Sequence, residues 1–333
     1  MAGDPLSFPV FVDWITVAER HPQGGLPIVC KGVHSWSDSQ GVCRAERISS
    51  TNLCGSHSTS VLLGSDGASV FLAGNVGRLS RQDNVFNLGW QATIEKSNRI
   101  LVANGLPEFS VTRSNAGEKS SYGARLLRVD ITCGFSSGSD AQARALIRWA
   151  QGLSVARMTR GYKGDWGVYW VNTRRMVKAY LKAPEMVEHG MSPDEWLVTW
   201  TRDQGMVRLE VEVKRRELQA LGLNFLGDVT DEKLRAIFAE ETAFLRKVDR
   251  SDEPDILMAI PSRSRPYAAA WLKGQDLRQI CSNGTFYRHA KVLRGFGIDI
   301  TQRRDIHNFP VKVRVVDLVP LSPPSWYEWD EAA

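Results

Sequence analysis

Cysteine is scarce in this chain, and none of it is arranged in pairs. Cys30, Cys43, Cys54, Cys133 and Cys281 are odd in number, contain no CxxC and have no histidine nearby at zinc spacing. The pattern excludes a zinc finger and a disulfide framework, and predicts reduced thiols in a cytoplasm. No run approaches the ~18 consecutive apolar residues of a membrane span, so membrane insertion is not expected. The N-terminus lacks a basic leader followed by an apolar stretch, which argues against secretion. Internal repeats and low-complexity tracts are also missing, which excludes a solenoid.

What is present is ordinary for a globular protein with a sizeable core. The 333 residues are 43% hydrophobic and 24% charged, enough for one large domain and a smaller one. Net charge is only +5, a mild bias toward polyanions. Its distribution says more. Arg157, Arg160, Lys163, Arg174, Arg175, Lys178 and Lys182 lie in one stretch with a single acid, Asp165. Arg288, Lys291, Arg294, Arg303 and Arg304 lie in another, with Asp299. Two separated basic clusters suit a long anionic ligand such as a nucleic acid; the bland reading of each is a solvated charged face.

Periodicity predicts the elements. Phe8 to Val17 reads as a strand, and Ser65-Asp66-Gly67 as the turn of a hairpin between residues 60–63 and 69–72. Arg125 to Cys133, Arg175 to Lys182 and Val207 to Lys214 each alternate apolar and polar residues, as half-buried strands do. Trp166 to Val171 pairs with the second of these through Asn172-Thr173-Arg174. Helices are predicted after Ser139, which caps with Gln142, and after Ser192 with Pro193 and Glu195. A further helix is predicted from Asp231 to Lys247. The fold class is therefore α+β, a central antiparallel sheet with helices on its apolar face. A linker near residues 250–266 separates a domain of residues 1–250 from a smaller helical one of residues 265–333. In the latter, a turn at Ser282-Asn283-Gly284 leads into a helix from Thr285 to Arg294, a pairing like a helix-turn-helix.

The polar face of that sheet would gather Asp130, Tyr180, Glu210 and Glu212. Acids are poor strand formers, yet Asp130 stands between Val129 and Ile131, and Glu210 between Leu209 and Val211. Carboxylates brought together from separate strands repel unless a cation intervenes, and such hard oxygen donors suit Mg²⁺ or Mn²⁺. The structural alternative is a salt-bridge ladder with Arg128 and Arg208.

Taken in order, Arg128-Val129-Asp130, the tyrosine run 177–182 and Gly205 through Glu210 resemble successive motifs of the filamentous-phage replication initiators, the gene II family. More broadly they are similar to rolling-circle initiators of the Rep_trans and HUH-like type. Ala73-Gly74-Asn75 through Arg78 to Phe86, Thr285 through His289, and Gly297-Ile298-Asp299-Ile300 extend the resemblance over most of the chain. The resemblance implies a metal-dependent nicking and joining endonuclease that starts and ends rolling-circle replication through a 5′-phosphotyrosine. It implies Tyr180 as nucleophile, with Lys178 and Lys182 favouring the phenolate, and Asp130, Glu210 and Glu212 as ligands of Mg²⁺ or Mn²⁺. The six histidines contain no His-x-His pair, the metal motif of many rolling-circle nucleases; here the chain departs from that pattern, and carboxylate ligation is an inference. Tyr169, on the neighbouring strand, is the competing nucleophile.

Expected DNA-binding residues are Gly74, Asn75, Arg78, Arg128, Arg174, Arg175, Arg208, Tyr287, Arg288 and Lys291. Gly74-Asn75 reads equally as a simple turn, and helix 285–294 as a capping helix with a basic face. Trp166 and Trp170 flank the basic hairpin and could stack on bases. Partners would be double- and single-stranded origin DNA, with a host helicase, polymerase and single-strand binding protein in the bacterial cytoplasm. A noncatalytic origin-binding regulator and a mobilisation relaxase are the competing functions.

Overall fold

A computed structural model describes residues 8–55, 59–114, 123–246, 260–294, 298–301 and 318–327. Its strands are β1 (Phe11–Arg20), β2 (Ile28–Val29), β3 (Gly32–Ser37), β4 (Cys43–Ser49), β5 (Thr51–Cys54), β6 (Ser60–Asp66), β7 (Ser69–Gly74), β8 (Arg125–Ser136), β9 (Thr159–Lys163), β10 (Gly167–Val171), β11 (Arg175–Leu181), β12 (Met206–Lys214) and β13 (Val319–Pro320). The helices are α1 (Trp90–Ala103), α2 (Asp140–Gln151), α3 (Lys182–Glu188), α4 (Trp196–Asp203), α5 (Arg215–Ala220), α6 (Asp231–Glu241), α7 (Ala243–Arg246), α8 (Arg265–Leu272) and α9 (Asn283–Arg294).

One antiparallel sheet dominates, in the order β2-β6-β7-β1-β8-β12-β11-β10-β9, with β5 on β6 and β13 on β8; β3 and β4 form a separate hairpin. The alternation read from the sequence decides its two faces. Ile15, Val17, Val129, Ile131, Val177, Ala179, Leu209 and Val211 are buried together on one. Trp90, Ile94 and Leu101 of α1, Leu146 and Ile147 of α2, and Leu234 and Phe238 of α6 close over them. This is the expected α+β layering. The opposite face is polar except at one end, where Met206 is buried with Phe86, Met186, Leu197 and Val198, so that α3 and α4 roof that end.

Several local readings need correction. Ser192 opens a turn, its hydroxyl accepting from Asp194 N and its carbonyl from Glu195 N; α4 begins only at Trp196, and its N-cap Glu195 makes no side-chain cap bond. The helix expected over 231–247 breaks at Thr242, whose hydroxyl donates to the Phe238 carbonyl at 2.6 Å. Helix α9 starts at Asn283, so Asn283 and Gly284 of the expected turn belong to its first turn, and Ser282 precedes it with its hydroxyl accepting from Thr285 N at 3.4 Å. Ser139 does cap α2, accepting from Gln142 N. Residues 247–259, most of the expected linker, lie outside the described residues, as do Gly297, Arg303 and Arg304. Beyond the linker Ile260, Trp271, Leu277, Phe286, Ala290 and Leu293 form a hydrophobic cluster of their own.

Candidate active site

Strand β12 organises the polar face. Its pairing sets Glu210 opposite Thr132 of β8 and Lys178 of β11, and Glu212 opposite Asp130. Tyr180 falls between Arg208 on one side and Gly167 of β10 on the other. Directly paired residues share a face, so Asp130, Lys178, Tyr180, Glu210 and Glu212 project the same way.

Strand β1 adds an acid that the sequence reading passed over. Its register against β8 slips between Val12 and Trp14, a bulge that re-aims side chains, and both Asp13 and Trp14 reach the polar cleft. Amide groups of Asn75, Asn84 and Asn87 donate to the Asp13 carboxylate at 2.9, 3.2 and 2.9 Å, and Arg208 pairs with it at 3.0 Å. Burial would raise this carboxyl; Arg208, Lys182 and the amides outweigh burial and hold it below its ordinary value. Asp13 could have been found by the argument applied to Asp130, since it is a lone acid inside the apolar run 8–17.

Tyr180 is 9% exposed, and its hydroxyl donates to Glu210 Oε2 at 3.3 Å. Burial raises the phenol well above its ordinary value; Arg208 pulls it back, while Glu210, Glu185 and Asp13 push it up further. The phenol is therefore protonated at neutral pH, with a carboxylate already accepting its hydrogen. Lys178 is ion-paired to Oε1 of the same glutamate. Burial lowers the Lys178 ammonium's pKa, but Glu210 and Asp130 outweigh that and keep it charged. The ring of Tyr169 lies across Gly161 on the edge side of β10, where a Cβ would fall 2.2 Å from it. Lys182 is fully buried, bonded to Asn84 at 2.6 Å and Glu185 at 2.5 Å. Arg208, not Lys182, is thus the cation with most influence on the phenol.

The acids are held in two sets. Arg128 grips Asp130 through two bonds of 2.7 and 2.6 Å and Glu212 at 2.9 Å, while Lys214 lies 3.6 Å from Glu212. Burial raises the Asp130 carboxyl to about 7; Arg128 opposes this and Glu210 reinforces it. The folded state therefore holds a proton there that the unfolded chain releases near pH 3.8. Its stabilising contribution is full below that pH and is lost as pH rises through about 7. Asp13 and Glu185, both held low, stay ionised above pH 5 and do not mask the effect. The melting temperature is expected to fall between pH 5 and 8, by more in the parent than in Asp130→Asn. Equal slopes in calorimetric scans would refute the assignment.

Two clefts open on this face and share Lys178 and Glu210. One, of about 320 Å³, is bordered by Asp13, Asn75, Arg78, Arg128 and Asp130. The other, of about 570 Å³, runs beneath Trp166 and Tyr169 and reaches Tyr180. Among the described residues no three His, Cys, Asp or Glu are gathered to hold a metal ion. Asp130 and Glu210 nevertheless fit Mg²⁺ or Mn²⁺ of the kind held by one or two carboxylates plus water and substrate phosphates. Both border the first cleft, beside Asp13. Glu212 borders neither cleft.

The expected DNA-contacting residues divide sharply. Arg78 and Arg128 border the first cleft. Tyr287, Arg288 and Lys291 are exposed on α9, whose buried side is Phe286, Ala290 and Leu293. Gly74 has φ +152° and its Cα side lies against the Val61 backbone, a close strand approach; Asn75 also caps Arg78 N at 2.9 Å. Arg174 and Arg175 instead pair with Glu217 and Glu241. Arg208 is 1% exposed, donating to Thr132 at 2.8 Å and to the Asn84 carbonyl, so it cannot reach DNA. Trp170 is wholly buried with its indole N–H on the Leu153 carbonyl, which removes it as a base-stacking residue. Replacing Arg208 by methionine should cost about 3–5 kcal/mol, because Asp13 is left buried without its cation. Urea denaturation checks this; the Asp13→Asn second-site change should restore part of the loss.

Comparison with known proteins agrees with the family that the sequence resembles. Residues 26–232 match the family of the N-terminal part of the phage replication-associated protein, the gene II product, and residues 260–332 match the family of its C-terminal part. The chain is 29% identical over 220 residues to the replication-associated protein of Enterobacteria phage I2-2, covering 61% of this chain and 62% of that protein. It is 26% identical over 312 residues to the protein of the same name from Escherichia phage If1, covering 78% of this chain and 95% of the relative.

Proposed function

Since the chain belongs to the gene II family of phage replication-associated proteins, we propose that it initiates phage DNA replication by nicking one strand of the duplex origin through Tyr180. The observation that carries this reading is the hydrogen bond from the Tyr180 phenol to Glu210, on a face that also presents Lys178 and Asp130 to an open cleft.

The chemistry follows from that placement. A protonated, buried phenol is a weak nucleophile and needs a base within reach; Glu210 is already its acceptor. As the Tyr180 oxygen bonds to phosphorus, its proton passes to Glu210 and the bond from phosphorus to the 3′ oxygen breaks. The 5′ end stays joined to the protein as a phosphotyrosine. The 3′ oxygen takes up a proton and leaves as a hydroxyl able to prime synthesis. One phosphodiester replaces another, so the same hydroxyl can later attack the linkage without ATP. Lys178 and Arg128 supply positive charge along the phosphate path, and the bulge at Asp13 holds Asn75 and the Arg78 loop beside it. Asp130 and Glu210 would hold a divalent cation, which offsets the charge that develops on a non-bridging phosphate oxygen.

The basic face of α9 suits contact with duplex DNA, and a host helicase and polymerase would extend the primer. The closed pairing of Arg128 with Asp130 and Glu212 favours one rival, an origin-binding regulator without catalysis. Supercoiled origin plasmid incubated with the protein and Mg²⁺ or Mn²⁺ separates the two. Nicked circles carrying covalently attached protein are expected; binding with unchanged topology would establish the regulator.

A further inference from the structure

Residues 318–327 return to the large sheet, although the helical unit of residues 260–301 stands between them and it in sequence. Strand β13 pairs with the end of β8, Val319 opposite Ser136 and Pro320 opposite Phe135, and Leu321 N donates to the Gly134 carbonyl at 2.9 Å. The segment then reaches α4, where the Trp326 ring meets Trp196 and Trp200 with centroids 4.6 and 5.2 Å apart. Tyr327 follows, buried, with its ring edge-on to Phe86 at 4.9 Å. Its hydroxyl accepts from Arg81 and donates to Asp83 Oδ1 at 2.7 Å. The same Asp83 oxygen accepts from Val85 N at 2.8 Å, and Arg81 donates to the Phe86 carbonyl at 3.2 Å.

Residues 81–89, which these bonds close, contain neither helix nor strand, so no ladder of backbone hydrogen bonds fixes them. They nevertheless carry supports of the candidate active site. Asn84 adjoins Asp83. Its amide and that of Asn87 hold Asp13, its side-chain oxygen accepts from Lys182, and its carbonyl accepts from Arg208, the cation that acts on the Tyr180 phenol.

We infer that Tyr327 is a positioning residue for nicking: from beyond the helical unit it sets the 81–89 loop, and through Asn84 the places of Arg208 and Asp13 beside Tyr180. The inference rests on the proposed role of Tyr180 and adds a residue on which the geometry around it depends. Misplacement by about 1 Å is enough to change the rate of a positioned reaction by about a hundredfold.

Tyr327→Phe in the full-length protein tests this, because the ring keeps its packing on Phe86 and only the hydroxyl is lost. Amide hydrogen exchange at Val85 and Phe86 should quicken by about 3- to 10-fold, while the amides of β8 and β12 keep their parental rates. With supercoiled origin plasmid, kcat for nicking should fall about 10- to 100-fold and KM should change by less than about threefold. Asp83→Ala removes the acceptor of the same hydroxyl and should lower kcat at least as far. Adding Tyr327→Phe to it should then cost nothing further, since both changes break one hydrogen bond. Parental exchange at Val85 and Phe86 would overturn the inference. So would additive losses from the two changes, or a lowered melting temperature with parental kcat per folded molecule, which is what a purely structural strap gives. A parental protein that does not nick would count against Tyr180 and remove the positioning role with it, while exchange would still decide whether Tyr327 holds the loop.

Discussion

Tyr180→Phe is expected to abolish covalent protein–DNA adducts and to lower nicking by at least about a thousandfold, as removal of a catalytic nucleophile does elsewhere. The fold should survive, because the ring keeps its place against Trp166 and only the hydroxyl bonded to Glu210 at 3.3 Å is lost. Tyr169→Phe should nick at close to the parental rate, since that ring lies over Gly161 on the edge side of its strand. Adducts are read by denaturing gel and the modified residue by peptide mapping. A Tyr180→Phe protein that still forms a 5′-linked adduct at the parental rate would remove Tyr180 from the chemistry.

Glu210→Gln should reduce nicking by about 10²–10⁴-fold, the usual worth of a positioned general base. The amide keeps the shape of the carboxylate, so affinity for origin DNA should change no more than about threefold. Asp130→Ala and Glu210→Ala should likewise lose nicking while binding persists. The discriminating comparison is with Glu212→Gln. That carboxylate pairs with Arg128 and Lys214 and borders neither cleft, so its loss should act on stability more than on rate. If Glu210→Gln and Glu212→Gln lose activity only in proportion to lost folded protein, the acids form a structural ladder and the base lies elsewhere.

Much of this site was visible in the order of residues. Alternation in strands 125–136, 175–181 and 206–214 put Asp130, Tyr180, Glu210 and Glu212 on one face, and the resemblance to gene II initiators singled out the tyrosine. Asp13 was equally conspicuous as an acid in an apolar strand, but a bulge decides its direction, and bulges leave no reliable trace in periodicity. Arg208 illustrates the opposite error. An arginine in an alternating strand reads as solvent-facing, yet four partners from β1, β8 and the 84–85 loop make a buried place for it. The basic run 157–182 looked like one DNA-binding surface; α5 and α6 bring acids to Arg174 and Arg175, while α3 buries Lys182. Charge counted along a chain says nothing about partners that come from distant segments.

Period and residue type alone determined that a half-buried antiparallel sheet would form, which side chains share its wet face, and that hard oxygen donors and a phenol would meet there. Those are local properties, set by the two-residue repeat of a strand. Strand order and register, which pair Lys178 with Glu210 and Glu212 with Asp130, were settled only by tertiary packing. So were the bulge at Asp13 and the cleft that reaches Tyr180. The physical reason is that a one-residue slip between strands preserves each strand's own pattern while exchanging every cross-strand neighbour, and only burial of the whole apolar face selects among the slips.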